Sequence, residues 1–142
     1  MSESILLDAG SLVAVLYRRD QFHAWAIEEI SKMPAPLLTC EAVIAEACFL
    51  TQRILGTSKA VYDFIETGAA EIAFNLSDEF APVKNLAWRY QNVPMSLADA
   101  CLVRMSEIYE NSVVFTTDSD FTIYRKNRNQ LIPTIMPKLY GS

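Results

Sequence analysis

The sequence predicts an α/β fold: one α/β/α domain over residues 1–142, with a parallel central sheet of about five strands flanked by helices. Three observations carry that expectation. Short apolar runs that fit buried strands alternate with longer stretches whose apolar residues recur at helical spacing. Glycine and proline are scarce, four and six residues in 142, so most of the chain lies in regular elements. Hydrophobic residues make up 51% and charged residues 20%, which suits one sizeable core at the length of an ordinary domain.

Taken in order, Ile5 to Leu7 is a short buried strand and Ser11 to Tyr17 a turn or two of helix after Gly10. Asp20 is placed to cap a helix from Gln21 to about Met33, on which Phe22, Trp25, Ala26 and Ile30 share one face, and Pro34 and Pro36 stop it. Leu37 to Thr39 is a second strand. The helix from Glu41 to Leu55 ends at Gly56, the residue type that most readily takes left-handed backbone. Ser58 to Thr67 reads as a further helix closed by Gly68, and Glu71 to Phe74 as the third strand. Ser77 is placed to cap a helix with Asp78 and Glu79 in its positive first turn, Pro82 near its start and an end close to Tyr90. After a break at Pro94, Ser96 opens a helix to about Tyr109. Val113 to Thr116 is the most strand-like run, and Leu131 to Ile135 a weaker last strand. Strands separated by helices imply a parallel sheet covered on both faces, with ligands beyond the carboxyl ends of the strands.

Several function classes are disfavoured at once. No run reaches the roughly 18 uncharged apolar residues of a membrane span, and the start lacks the basic and apolar regions of a signal peptide, so a cytoplasmic protein is expected. Cys40, Cys48 and Cys101 are an odd number among apolar neighbours, which fits reduced core thiols. One histidine, His23, and no C-x-x-C leave little for zinc or for a Ser/His/Asp triad. Four dispersed glycines exclude a P-loop or a dinucleotide fingerprint. The net charge of −5 argues against a general nucleic-acid coat protein, whose footprint is basic.

The informative feature is four isolated acids. Asp8 is the only charge from Ser4 to Tyr17, Glu46 the only one from Ala42 to Gln52, and Asp99 the only one from Tyr90 to Val103. Asp118 follows the strand Val113 to Thr116. Each stands where an apolar residue would pack better. Desolvating a carboxylate is costly, and gathering several raises their pKa values until protons or a cation neutralise them. Mg²⁺ or Mn²⁺ suits such a site, because these ions take oxygen ligands, keep several waters and share a phosphate.

Each acid also has a purely structural explanation. Ser96-x-x-Asp99 is a capping box, Asp8 and Asp118 fit turn or N-cap positions at strand-to-helix junctions, and Arg53 or Lys59 could partner Glu46. The joint pattern is less readily explained than any member.

Ile5-Leu6-Leu7-Asp8, Ile44-Ala45-Glu46, Leu97-Ala98-Asp99-Ala100 and Phe115-Thr116-Thr117-Asp118-Ser119-Asp120-Phe121, in this order, resemble the motif set of PIN-domain ribonucleases, and among these the VapC-type toxins of toxin–antitoxin pairs. The resemblance runs from Ile5 to about Pro137. It implies a PIN-like α/β/α domain, a Mg²⁺- or Mn²⁺-dependent phosphodiesterase site and often a homodimer. It assigns Asp8, Glu46, Asp99 and Asp118 to the catalytic, metal-holding quartet, with Thr116 as a hydroxyl beside it and Asp120 as an accessory acid. The family often has Ser or Thr two places after the first Asp; here that place is Gly10, with Ser11 next as the accessory hydroxyl.

Basic residues follow the acidic motif in Tyr124-Arg125-Lys126-x-Arg128, and Arg125, Lys126 and Arg128 are the candidate RNA contacts. Arg18, Arg19, Lys84 and Arg89 are further exposed candidates, whereas Tyr17, Phe22 and Trp25 read as packing or dimer residues. The expected function is a metal-dependent endoribonuclease that leaves a 5′-phosphate and a 3′-hydroxyl, with an antitoxin protein as partner by resemblance. The non-enzymatic rival is a PIN-like interaction or dimerisation module that no longer binds metal efficiently.

Overall fold

The computed structural model describes residues 3–138. Five parallel strands form the central sheet in the order β3-β2-β1-β4-β7. The strands are β1 (Ser4–Leu7), β2 (Leu37–Thr39), β3 (Ala70–Ile72), β4 (Ser112–Phe115) and β7 (Thr134–Ile135). β1 lies at the centre: Leu6 pairs with Leu38 on one side, and Ser4 to Leu7 pair with Ser112 to Phe115 on the other. Side chains alternate between the faces of a strand, so burial of successive residues means that both faces are covered. Ile5, Leu6, Leu7, Val113, Val114 and Phe115 are all buried, and each fully buried leucine contributes about 2 kcal/mol.

Helices fill the crossovers as far as β4. α1 (Ala9–Leu16) and α2 (His23–Ser31) connect β1 to β2, and α3 (Glu41–Leu55) and α4 (Lys59–Glu66) connect β2 to β3. α5 (Phe80–Arg89) and α6 (Leu97–Ile108) then return the chain to β4 beside β1. The direction of strand addition therefore reverses between β1 and β4. In sheets of this kind a crevice opens at that switch point, beyond the carboxyl ends of the strands. Asp8 and Thr116 are the residues immediately after β1 and β4, so the topology alone delivers two of the expected site residues there.

The sequence expectations hold for the element order, with local corrections. α1 starts at Ala9 rather than Ser11, because Asp8 is its N-cap. α2 starts at His23: Asp20 Oδ1 accepts from Phe22 N–H and shapes the turn before the helix. Ser77 does not cap α5, which begins at Phe80 behind Glu79 with no side-chain cap; Asn75 Oδ1 instead accepts from Asp78 N–H. β3 is Ala70–Ile72 rather than Glu71 to Phe74. The expected strand from Leu131 to Ile135 divides at Pro133, which has no N–H for a ladder. β6 (Gln130–Leu131) pairs antiparallel with β5 (Arg125–Lys126), and β7 joins the main sheet. Asn127 and Arg128 take left-handed backbone at that hairpin turn, with φ of 49° and 75°. The three cysteines are free thiols, Cys40 and Cys101 buried. Trp25 packs on Phe115, and His23 Nδ1 lies 2.7 Å from the Ala14 carbonyl, both packing roles. Among the described residues no helix is long and apolar enough to cross a membrane.

Candidate active site

Asp8, Glu46, Asp99, Asp118 and Asp120 line one cleft of about 430 Å³, together with Gly10, Phe49, Leu50, Pro94, Ser96 and Thr117. Its size does not distinguish it, since a depression beside α4 has about 450 Å³. Its lining does: five carboxylates and no lysine, arginine or histidine.

Each acid reaches the cleft by a local rule. Asp8 ends β1 and caps α1, its Oδ1 accepting from Ala9 N–H at 2.7 Å. Glu46 lies on α3 with Phe49 and Leu50, three and four residues on, which share its helix face. Asp99 sits in the first turn of α6, where Ser96 Oγ accepts from its N–H at 3.0 Å. Asp118 precedes a short 3-10 helix over Ser119–Thr122, and its Oδ1 accepts from Asp120 N–H at 2.9 Å. The capping roles of Asp8 and Asp118 are therefore real, and Asp99 lies in the first turn of a helix that Ser96 caps. These positions are also the means by which the cluster is held, because a carboxylate at a helix N-terminus gains from the helix dipole. The alternative partners of Glu46 are engaged elsewhere: Arg53 stacks on Phe49 and Lys59 pairs with Asp63.

Buried hydroxyls fix the carboxylates further. Thr116, fully buried, donates to Asp8 Oδ2 at 2.5 Å and accepts from Asp118 N–H at 2.9 Å, so it joins two of the acids. Tyr124 Oη donates to Asp99 Oδ2 at 2.9 Å. Sequence reasoning missed Tyr124 in this role. It is fully buried between Tyr90 and Phe121, not displayed as a stacking platform. Ser11, the expected accessory hydroxyl, is buried and does not line the cleft, and its hydroxyl has no hydrogen-bond partner among the described residues.

Burial pushes the Asp8 carboxyl up to about 7; Thr116 and Ala9 N–H oppose that shift, while Asp99 and Glu46 add to it. Glu46 is raised by burial and by Asp99 and Asp118. Asp99 is raised by burial and by Asp118, against the lowering influence of Tyr124 and Ser96. Asp120 is raised by burial, then by Asp118. Charge is thus concentrated where the protein supplies no counter-charge.

The donor set fits a hard divalent ion: five carboxylates, no soft ligand and no competing cation. Among the described residues no three His, Cys, Asp or Glu side chains stand close enough together to hold a metal ion between them as they are placed. Mg²⁺ does not require three, since it is held through one or two carboxylates and keeps waters that a phosphate can replace.

The candidate RNA contacts are not brought to this cleft. Lys126 is buried and donates to the carbonyls of Ser106 and Glu110 at the end of α6. Arg125 Nη1 donates to the carbonyls of Thr122, Ile123 and Tyr124. Burial of Lys126 departs from the reading of it as a displayed cation, whereas Arg125 stays partly exposed while pairing with carbonyls. Arg128 is exposed and lines a separate depression with Arg89 and Arg104.

An α/β domain with an acidic crevice at its topological switch point is thereby defined. The chain matches the PIN domain over residues 5–127, and it belongs to that family. Its fold is similar to that of VapC20 of Mycobacterium tuberculosis, described as a sarcin–ricin loop cleaving toxin. The TM-score is 0.78 at 18% identity, over 92% of this chain and 100% of that one. No curated protein sequence matches.

Proposed function

We propose that this protein is a Mg²⁺- or Mn²⁺-dependent endoribonuclease, the toxin of a toxin–antitoxin pair, acting in the cytoplasm as a homodimer. One observation carries the reading. Five carboxylates from four separate stretches of the chain line one cleft whose lining offers no cation. Such a cluster is stable only with protons or metal present. The PIN family assignment supports nuclease chemistry, and the fold shared with VapC20 supports the toxin class. RNA is the substrate class; the loop named for VapC20 is not carried over.

Asp8, Asp99, Asp118 and Glu46 would hold the ion, with Asp120 at the rim. A divalent ion there supplies an activated water and charge stabilisation for in-line attack on a phosphodiester. The protein's own part is orientation. Thr116 holds Asp8 and Asp118 in fixed relation, and Tyr124 holds Asp99. Glu46, half-buried and raised in pKa by burial and by Asp99 and Asp118, is a carboxylate whose charge an ion in the cleft would offset.

The test is cleavage of a broad cellular RNA pool with Mg²⁺ or Mn²⁺. Cleavage should stop in EDTA and fall at least about a hundredfold in Asp8→Asn, the scale expected when a preorganised electrostatic group is removed. Cleavage that persists unchanged under either condition refutes the mechanism.

A further inference from the structure

Gly10 occupies the first turn of α1, one residue after the start of the helix. Glycine there is unfavourable for helix formation by comparison with alanine, so its presence needs a reason. The reason is a contact: a Cβ at position 10 would fall inside van der Waals distance of the Thr117 hydroxyl oxygen. Thr117 leans over the bare Gly10 backbone from the segment after β4, and both residues line the acidic cleft.

Thr117 differs from its neighbour in what its hydroxyl does. Thr116 is fully engaged, donating to Asp8 and accepting from Asp118 N–H. Thr117 is half-buried and its hydroxyl has no partner among the described residues. A cleft of ionised carboxylates offers only acceptors. The non-bridging oxygens of a phosphodiester are acceptors too, and they need donors that the acids cannot supply. Among the side chains of the lining, only the hydroxyls of Ser96 and Thr117 can donate without first being protonated, and the Ser96 hydroxyl already serves Asp99, accepting from its N–H and lowering its carboxyl by side-chain hydrogen bonding.

We propose that the Thr117 hydroxyl is a substrate-binding group that donates to a non-bridging oxygen of the RNA phosphate in the cleft, and that Gly10 is the residue that leaves it room to do so. The inference rests on the nuclease reading and adds a specific donor to it. It also accounts for Gly10 at a place where the family often carries a hydroxyl: here the hydroxyl comes from the opposite wall.

The experiment compares wild type, Thr117→Val, Thr117→Ser, Gly10→Ala and Asp8→Asn on one RNA pool with Mn²⁺. It measures kcat and KM, and separately the rise in melting temperature caused by Mn²⁺ alone. Valine keeps the shape of threonine and removes only the hydroxyl. Thr117→Val should lose about tenfold in kcat/KM, carried mainly by KM, the low end for one hydrogen bond to a charged group, with its Mn²⁺ shift intact. Thr117→Ser should keep wild-type kinetics. Gly10→Ala should melt no lower than wild type yet lose activity, because its Cβ displaces the Thr117 hydroxyl. If Asp8→Asn abolishes cleavage while Thr117→Val stays within twofold of wild type, this proposal is overturned and the nuclease reading stands. A Thr117→Val protein that loses its Mn²⁺ shift also overturns it, by placing the hydroxyl on the metal. Wild type that shows no metal-dependent cleavage overturns both.

Discussion

The two ends of α6 treat carboxylates in opposite ways. At the N-terminal end Asp99 shares a cleft with Asp8, Glu46, Asp118 and Asp120, and no basic side chain lines it. Toward the C-terminal end Arg104 bridges Glu79 at 2.6 Å and Glu107 at 3.0 Å, and Lys126 donates to the Ser106 and Glu110 carbonyls. There the cations sit near the negative end of the helix dipole and the charges balance internally. On the proposed function, the difference separates structural charge from functional charge. Glu79 and Glu107 need nothing from solution, whereas the N-terminal cluster is completed only by protons or an ion.

The largest expected effect concerns Asp8. Its pKa rises from 3.8 to about 7 on folding, so between those values the folded protein binds more protons than the unfolded one. Stability of the metal-free protein is therefore full below the unfolded value and is lost as pH rises through about 7. Three pH units correspond to on the order of 4 kcal/mol at most. Urea unfolding of metal-free protein should give a falling midpoint from pH 5 to pH 8, with Asp8→Asn flattening the slope. An equal slope in the variant would remove Asp8 from the unbalanced end.

A smaller effect tests the balanced end. Arg104→Ala leaves two carboxylates without their cation and should cost about 1–2 kcal/mol by urea unfolding, since the pairs are only partly buried. Its kcat/KM on RNA should equal that of wild type. Lost cleavage with unchanged stability would erase the division between the two ends.

How much of this the sequence carried depends on how far apart the interacting groups lie. Asp8, Glu46 and Asp99 were legible because each stands in an otherwise apolar run, and Asp118 because it follows the clearest strand. Element order was legible from the periodicity of the runs around them. The turn before Phe80 was not, because Ser77 is a favoured cap by residue type, yet the helix begins behind Glu79 with no side-chain cap. Tyr124 gave no signal, since its partner Asp99 is 25 residues away and a tyrosine beside two cations resembles an RNA-stacking residue. The burial of Lys126 was illegible for the same reason: a basic residue looks alike in sequence whether it is solvated or caps carbonyls. The signal for Thr117 was indirect, the glycine at position 10, and only the fold shows that the two residues meet.

The central claim is that the unbalanced end of α6 is a divalent-cation site. Crystals soaked in Mn²⁺ and measured near the manganese absorption edge test it directly. The account predicts an anomalous peak inside the cleft, about 2.0–2.2 Å from carboxylate oxygens that include Asp8 and Asp99, weakened in Asp99→Asn. A cleft with no peak at saturating Mn²⁺, or a peak at Glu79 and Glu107 instead, would contradict it.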